Sequence, residues 1–403
     1  MQDLRTIFFV ALGVIFQLSA VFAAEPDAPI RIGLAHVFSG GMAKFGNVAR
    51  QGAQLAVTEI NQGGGVLGRP LELVDADTAV NPDVAEKAVQ KLVMQDQVSV
   101  VMGIVSSAVA KRVAPLVNSL KCPLIVTHAM AQEITTTIRN PWVFRITWNL
   151  DQCYKASALV AKEMGATRWT TVGPDYGFGQ DSWQYFKRYL SEFGDYSFDA
   201  GVFLPVSTTD WKPVVEKLRD SRADGIMVSL WGDNLRGFLK AAQAIEAFKD
   251  KKVLCPVGGS VEEFVALRFL YMPQGVWFGS PYWYEAYDNA SNKTFIERYQ
   301  ALGDARIPPS YAAYNTYAAV RMFKAAVEKA GGPGREAVAR ALEGLTVADL
   351  PAGPTTFRKE DHQAIFTVSF GKTSGRAAAN TSRIQGLVSI RRFDGALITP
   401  RVE

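Results

Sequence analysis

The sequence has few cysteines and few histidines. Its 403 residues include only three cysteines, Cys122, Cys153 and Cys255, and only three histidines, His36, His128 and His362. Three cysteines cannot all pair within one chain, and neither set has the spacing of a zinc site. The counts exclude a fully paired disulfide framework and leave few general bases. We therefore expect three buried free thiols, no metal and no cofactor.

A large excess of charge of one sign is also missing. The formal net charge is +4 over 403 residues, which is too dilute to indicate binding to nucleic acid. With 48% hydrophobic and 20% charged residues, the composition is that of a soluble globular protein. The length allows two or three domains.

Long hydrophobic runs are missing except at the start of the chain. Residues 7–22 are almost unbroken apolar, and Ala23 and Ala24 follow them. The run is short for a membrane-spanning helix, and small residues at its end are typical of a cleavage site. We expect residues 1–24 to be a signal peptide and the protein to be exported to the periplasm. A retained anchor is the alternative.

After the leader, short apolar runs alternate with segments of helical periodicity. The strand-like runs of the first half are 30–35, 71–76, 98–102 and 123–127, with helical segments at 47–62, 83–96 and 106–120. The second half repeats the alternation, with strand-like runs at 168–173, 198–204, 224–229 and 252–257. Strands separated by helices of this length favour parallel sheets. The pattern predicts an α/β fold with two doubly wound parallel-sheet lobes.

The last third of the chain breaks the alternation. Three adjacent helical segments, near 290–303, 310–331 and 334–345, precede strand-like residues 363–403. Because adjacent helices need a sheet face to cover, we expect the chain to return to the first lobe and end in the second. The first lobe would comprise 28–146 and 280–354, and the second 147–279 and 355–403. Crossings near 147, 279 and 355 would form a three-crossover hinge.

Two loops that follow strands in the first half are candidate binding loops, because ligands of open α/β sheets bind beyond the carboxyl ends of strands. In the first, Phe45 lies near several glycines and either stacks on a ligand or packs in the core. In the second, Ser106 or Ser107 is placed to cap the next helix, whose first amides can bind an anion. A cap without a ligand is the alternative. Neither serine lies in a GxSxG elbow, so we expect no catalytic residue.

Three further loops carry candidate side chains. His128 has no partner motif and is read as structural. Tyr176 lies in a glycine-rich turn and either faces a cleft or completes the turn. Trp231 and Asp233 follow a strand, where an aromatic and an acidic side chain together can contact the apolar and the cationic part of a ligand. Asp233 is alternatively a helix N-cap. An aromatic-rich cleft is favoured by four tryptophans near the predicted cleft or hinge, Trp148, Trp231, Trp277 and Trp283.

Several stretches together resemble a known family. They are GAQLAVTEINQGGGVLGRPLELVDAD at 52–77, GIVSSAVA at 103–110, VFRITWN at 143–149, DYGFGQDSW at 175–183 and FRKEDHQA at 357–364. These stretches resemble the leucine/isoleucine/valine-binding family of ABC-transporter periplasmic substrate-binding proteins. The resemblance implies the type I periplasmic-binding fold, in which two lobes close on a solute and present it to a membrane permease. It also implies a binding protein and not an enzyme.

The resemblance assigns ligand contacts. In the branched-chain amino-acid binders the ligand carboxylate is held by a serine at a helix start and by groups of the next loop. Those positions are similar to Ser107 and to Ala129 with Met130. The turn tyrosine of the second lobe is similar to Tyr176, and the aromatic of the first loop to Phe45.

The sequence also departs from the family pattern. Met130 replaces a threonine, and Gly258 lies where the family has the acidic partner of the ligand ammonium. Val80 and Ser106 lie near the positions of the family disulfide. Either Asp233 or Glu262 supplies another ammonium partner, or the ligand is an acid or amide without an amine.

The expected function is that of a monomeric, exported receptor for a small amino acid or related carboxylate, with an ABC permease as its partner. One alternative is a sensor that signals through a membrane partner, with an aromatic acid or amide as ligand. A hydrolase on a similar scaffold is the other alternative.

Overall fold

The computed structural model describes residues 28–304, 306–377 and 384–402. The predicted signal peptide lies outside the described residues. Within them, no helix is long and apolar enough to cross a membrane.

The first lobe is built on a five-stranded parallel sheet. Its strand order is β2-β1-β3-β4-β5. The elements in chain order are β1 (Ile30–His36), α1 (Ala43–Gln62), β2 (Leu71–Asp77), α2 (Pro82–Met94), β3 (Val100–Gly103), α3 (Ser107–Leu120), β4 (Leu124–Val126) and β5 (Val143–Arg145). The four predicted strands and three predicted helices of this part are present, with ends shifted by a few residues. Strands β1 and β3 are buried almost throughout, which explains why they read as unbroken apolar runs.

The second lobe is built on an eight-stranded sheet. Its first elements are α4 (Leu150–Met164), β6 (Arg168–Pro174), α5 (Gly177–Ser191), β7 (Ser197–Phe198), β8 (Val202–Leu204), α6 (Lys212–Arg219), β9 (Gly225–Val228), α7 (Gly232–Ala244), β10 (Lys252–Cys255), α8 (Val261–Tyr271) and β11 (Trp277–Ser280). The run at 198–204, predicted as one strand, is divided between β7 and β8, which both pair with β6. Helix α4 begins with a reciprocal capping box between Asn149 and Gln152, which fixes where the chain enters this lobe.

The last third supplies helices to one lobe and strands to the other. Its elements are α9 (Ala290–Ala301), α10 (Tyr311–Ala330), α11 (Arg335–Leu342), β12 (Thr346–Val347), β13 (Thr355–Phe357), β14 (Ala364–Ile365), β15 (Val368–Ala377), β16 (Gln385–Phe393) and α12 (Gly395–Ile398). Helix α10 packs on α1, and β15 extends the second sheet by pairing antiparallel with β11. The second sheet is therefore mixed, because β15 and β16 form an antiparallel hairpin at its edge.

The chain passes between the two sheets after β5, after β11 and before β15. This is the architecture predicted from the alternation, two α/β lobes joined by three crossovers. The lobe boundaries themselves stay a prediction. Strands β12, β13 and β14 form a separate three-stranded sheet beside the crossovers. The buried side chain of Arg145 connects β5 to the last crossover through its Nε–H, which donates to Gln363 Oε1 at 2.6 Å.

Candidate functional site

A cavity lies in the cleft between the two lobes of the described part of the chain. Its volume is about 630 Å³, within the range of sites for small ligands. The first lobe lines it from the loops after β1, β3 and β4, and the second lobe from the loops after β6, β9 and β10. Tyr311, at the start of α10, also lines it. All of these loops follow the carboxyl ends of parallel strands, where binding sites of such sheets occur.

The turn between β3 and α3 brings two serines to the cleft. Gly103 and Ile104 both have positive φ values, of 123° and 67°. A side chain at Gly103 would collide with the backbone of Ala35, so glycine is required there. The sharp turn places Ser106 at the N-cap of α3, where its Oγ accepts from Val109 N–H at 3.5 Å.

Ser107 links the start of α3 to the next binding loop. Its Oγ accepts a hydrogen bond from the backbone N–H of Ala131 at 3.2 Å. Since a hydroxyl both accepts and donates, the Ser107 proton remains able to donate to a ligand. Lys111, one turn further along α3, lines the same cleft and forms an ion pair with Glu133. The first turn of α3 thus presents a hydroxyl, backbone amides and a nearby cation.

Six of the eight predicted site residues line the cleft. They are Phe45, Ser106, Ser107, Met130, Tyr176 and Trp231. Ala129 is not among the lining residues, because it is buried and its N–H donates to Ile104 O. Asp233 is not among them either, since its side chain is 89% exposed and pairs with Arg236. The N-cap position of α7 is occupied by Trp231, so the N-cap alternative for Asp233 is wrong.

Tyr176 and Trp231 are two aromatic lining residues that are partly exposed. Tyr176 is 43% exposed and Trp231 is 38% exposed, on two different loops of the second lobe. Burial raises the pKa of the Tyr176 hydroxyl, which therefore stays protonated at neutral pH. Exposed aromatic rings at the opening of a cleft are available to be covered by a ligand or by the opposite lobe. Of Trp148, Trp231, Trp277 and Trp283, only Trp231 lines the cleft, while Trp148 lines a small adjoining cavity.

A carboxylate that the sequence reasoning missed also lines the cleft. Glu263, in the first turn of α8, is 3% exposed, and its Oε2 accepts from Arg236 Nη1 at 2.7 Å. Its backbone N–H donates to Ser260 Oγ, the N-cap of α8. Ser260 and Glu263 have the spacing of a capping box. Because that local role explains both residues in the sequence, the pattern gives no sign that they also line the cleft. Glu262, the other candidate partner for a ligand ammonium, does not line the cleft.

All three histidines pack against other aromatic rings. His36 and His128 form an edge-to-face pair with ring centroids 4.7 Å apart. Burial lowers the pKa of His128 to about 3, and burial together with His128 lowers that of His36, so both are neutral. His362 stacks on Phe144 beside the hinge, where its Nδ1 lies 3.0 Å from Val143 O. No group of three possible ligands among the described residues could hold a metal ion.

The cysteines follow the prediction. Cys122, Cys153 and Cys255 are all buried and free, and burial raises the pKa of each thiol. Val80 and Ser106, near the positions of the family disulfide, both line the cleft. The positions near the family disulfide are therefore part of the cleft lining here.

The chain belongs to the periplasmic binding protein family, whose profile matches residues 29–378. Leu/Ile/Val-binding protein homolog 3 of Brucella melitensis is 28% identical over 347 residues, which cover 85% of this chain and 91% of the relative. Leu/Ile/Val-binding protein BraC3 of Rhizobium johnstonii is 29% identical over 346 residues, 84% of this chain and 90% of the relative. These relatives confirm the resemblance found in the sequence.

Solved structures agree with the fold. A solute-binding protein of an ABC transporter from R. palustris, in complex with 4-hydroxybenzoate, superposes with a TM-score of 0.80 at 25% identity, over 91% of this chain and 97% of that one. The protein is thus a solute-binding protein of an ABC transporter and not an enzyme.

Proposed function

We propose that this chain is exported to the periplasm, binds a small carboxylate in the cleft between its lobes and delivers it to a membrane permease as a monomer. The observation that carries the proposal is the start of α3, where Ser106, Ser107 and Ala108 line the cleft. The ligand class is an amino acid or an aromatic acid. Both classes share the carboxylate that this site fits.

The start of α3 suits a carboxylate for two reasons. The first amides of a helix have no partner within it, and the helix dipole adds about 0.3–2 kcal/mol for an anion. The Ser107 hydroxyl, which accepts from Ala131 N–H, has its own proton left to donate. Micromolar binding needs about 8 kcal/mol in total, so apolar contacts must supply the rest.

The apolar contacts come from both lobes. Phe45 and Met130 line the cleft from the first lobe, and Tyr176 and Trp231 from the second. Relatives named as Leu/Ile/Val-binding proteins support an amino acid as ligand, whereas the R. palustris protein in complex with 4-hydroxybenzoate and the aromatic lining support an aromatic acid. A ligand that contacts both lobes stabilises the closed state relative to the open one.

The proposal is tested on protein refolded from denaturant, which removes ligand carried through purification. Amino acids, aromatic acids, short fatty acids and amides are screened by thermal shift, since a ligand that binds only the folded state raises Tm. We expect Ser107→Ala to weaken binding of the best carboxylate about tenfold or more in calorimetry, because a hydrogen bond to a charged group is lost.

Ser119→Ala is the matched control. Ser119 is exposed at the other end of α3, and its Oγ donates to Pro115 O within the helix. This variant should bind as tightly as the parent protein. Equal affinities of the parent and Ser107→Ala proteins, or equal binding of a carboxylate and its methyl ester, would contradict the proposed site.

A further inference from the structure

Glu263 is a buried carboxylate with one oxygen in use. Its side chain is 4% exposed, and Oε2 accepts from Arg236. Oε1 is buried and has no hydrogen-bond partner among the described residues. Glu263 is also one of the residues that line the cleft. A buried acceptor without a donor costs about 1–3 kcal/mol, and more if it is charged, so such atoms in folded proteins are rare.

The fold does not explain why this acceptor is kept. The capping contact uses the backbone N–H of Glu263 and not its carboxylate. Arg236 needs only one carboxylate oxygen here, because its Nη2 donates to Asp233 on the exposed side. A glutamine would keep this hydrogen bond through its amide oxygen but would lose the ion pair with Arg236. The pairing with Arg236 uses only Oε2, so Oε1 remains unpaired at the cleft and can accept from a partner that enters it.

A second buried polar atom without a partner lies in the same cleft. His128 Nε2 is buried and has no hydrogen-bond partner among the described residues, and His128, like Glu263, lines the cleft. The other ring nitrogen, Nδ1, lies 2.7 Å from Thr127 Oγ1 and 3.3 Å from His36 Nε2. Since the neutral ring carries one proton, Nε2 is an acceptor when Nδ1 holds that proton and a donor when it does not. His128 thus offers a ligand one further polar contact, whereas Glu263 Oε1 is an acceptor that requires a donor on the ligand.

We propose that Glu263 Oε1 accepts a hydrogen bond from the ligand, and that the ligand is a small carboxylate carrying a second, hydrogen-bond-donating group. That donor is either the ammonium of an amino acid or the hydroxyl of a hydroxy acid. Glu263 thereby supplies on α8 the acidic group that the sequence lacks at Gly258. The inference rests on the proposed carboxylate receptor and specifies its ligand further.

Two ligand pairs test the inference in the parent protein. L-leucine is compared with 4-methylpentanoate, which lacks the ammonium, and 4-hydroxybenzoate with benzoate, which lacks the hydroxyl. We expect the donor-bearing member of one pair to bind about tenfold or more tightly than its partner. The pair that shows the difference identifies the donor. If the two members bind alike in both pairs, or if no member binds, the inference is overturned.

Variants assign the difference to Glu263. In Glu263→Gln the amide oxygen accepts from Arg236, so the NH₂ group replaces Oε1 and opposes the ligand donor. We expect this variant to lose the preference for the donor-bearing member and to bind its partner as before. Glu262→Gln removes a carboxylate from the adjacent, non-lining residue and should keep the preference. An equal effect of the two variants, or equal weakening of both members by Glu263→Gln, would overturn the assignment.

Failure of this inference is distinguishable from failure of the proposed function. Loss of the Ser107 contact weakens both members of a pair by the same factor, because both carry the carboxylate. Loss of the Glu263 contact changes only the ratio between them. The ligand pairs in the parent protein also keep the inference testable should Glu263→Gln fail to fold.

Discussion

At the scale of single residues, His36 and His128 make the protein sensitive to acid. Both are neutral in the folded state because burial lowers their pKa values, that of His128 to about 3. In the unfolded chain a histidine has a pKa of about 6.5. Below that pH the unfolded state therefore binds more protons than the folded state, and stability falls as the pH falls. For His128 the loss extends from about pH 6.5 to about pH 3.

We expect His128→Gln to reduce this dependence. Each neutral buried histidine contributes a slope of about 1.4 kcal/mol per pH unit below pH 6.5. Urea denaturation at pH 7, 6 and 5 should give a free energy of unfolding that falls less steeply in the variant than in the parent. Parallel curves for the two proteins would show that His128 binds protons equally in the folded and unfolded states, which would contradict its lowered pKa.

At the scale of elements, α1 and α10 are held in close contact by a glycine. A methyl group at Gly52 would lie 2.0 Å from the backbone oxygen of Ala313, so the two helix backbones meet at this point. The Thr316 hydroxyl donates to Ala49 O at 2.6 Å, and this hydrogen bond stabilises the same contact. This contact attaches the last third of the chain to the first lobe and places Tyr311 beside the cleft.

Gly52→Ala tests this contact. We expect a loss of about 1–3 kcal/mol in the free energy of unfolding, because a backbone atom cannot move aside as a flexible side chain can. Chemical denaturation measures the effect. Gly332→Ala is the control, since a methyl group there would meet no atom within 4 Å. If both variants lose the same stability, the cost lies in the loss of glycine itself and not in the helix contact.

At the scale of the whole molecule, Arg145 connects the hinge to the binding loop. Its guanidinium donates to Gln363 Oε1, to Ala131 O at 2.6 Å and to Thr135 Oγ1 at 2.7 Å. Gln363 in turn donates to Thr147 O in the first crossover. Since Ala131 also donates to Ser107, the hinge and the proposed carboxylate site share one hydrogen-bond network.

We expect Arg145→Met to destabilise the fold by about 2–4 kcal/mol, because several buried acceptors lose their donor. It should also weaken binding of the carboxylate identified in the screen, since the Ala131 loop is no longer fixed against Ser107. Denaturation and calorimetry measure the two effects. Arg139→Met, at an exposed arginine of the same segment, should change neither quantity. Loss of stability without loss of affinity would show that the network supports the hinge alone.

Sequence reasoning reached the fold and most of the cleft because both follow from local pattern. The alternation of apolar runs and helical segments located the strands, and the loops after those strands contained Phe45, Ser107, Tyr176 and Trp231. The same reasoning misplaced Asp233, whose position in sequence next to Trp231 suggested the cleft. At the start of α7 the Trp231 side chain lines the cleft, whereas the Asp233 side chain lies in solvent.

The sequence alone determined the secondary structure, the parallel sheets and the loops at their carboxyl ends, because periodicity and turn residues act over a few neighbouring positions. Only the tertiary structure decided that Glu263 keeps one oxygen unpaired in the cleft and that Arg145 links β5 to Gln363. Both results depend on residues far apart in the chain that packing brings together, and burial then fixes which polar atoms find a partner and which are left for a ligand.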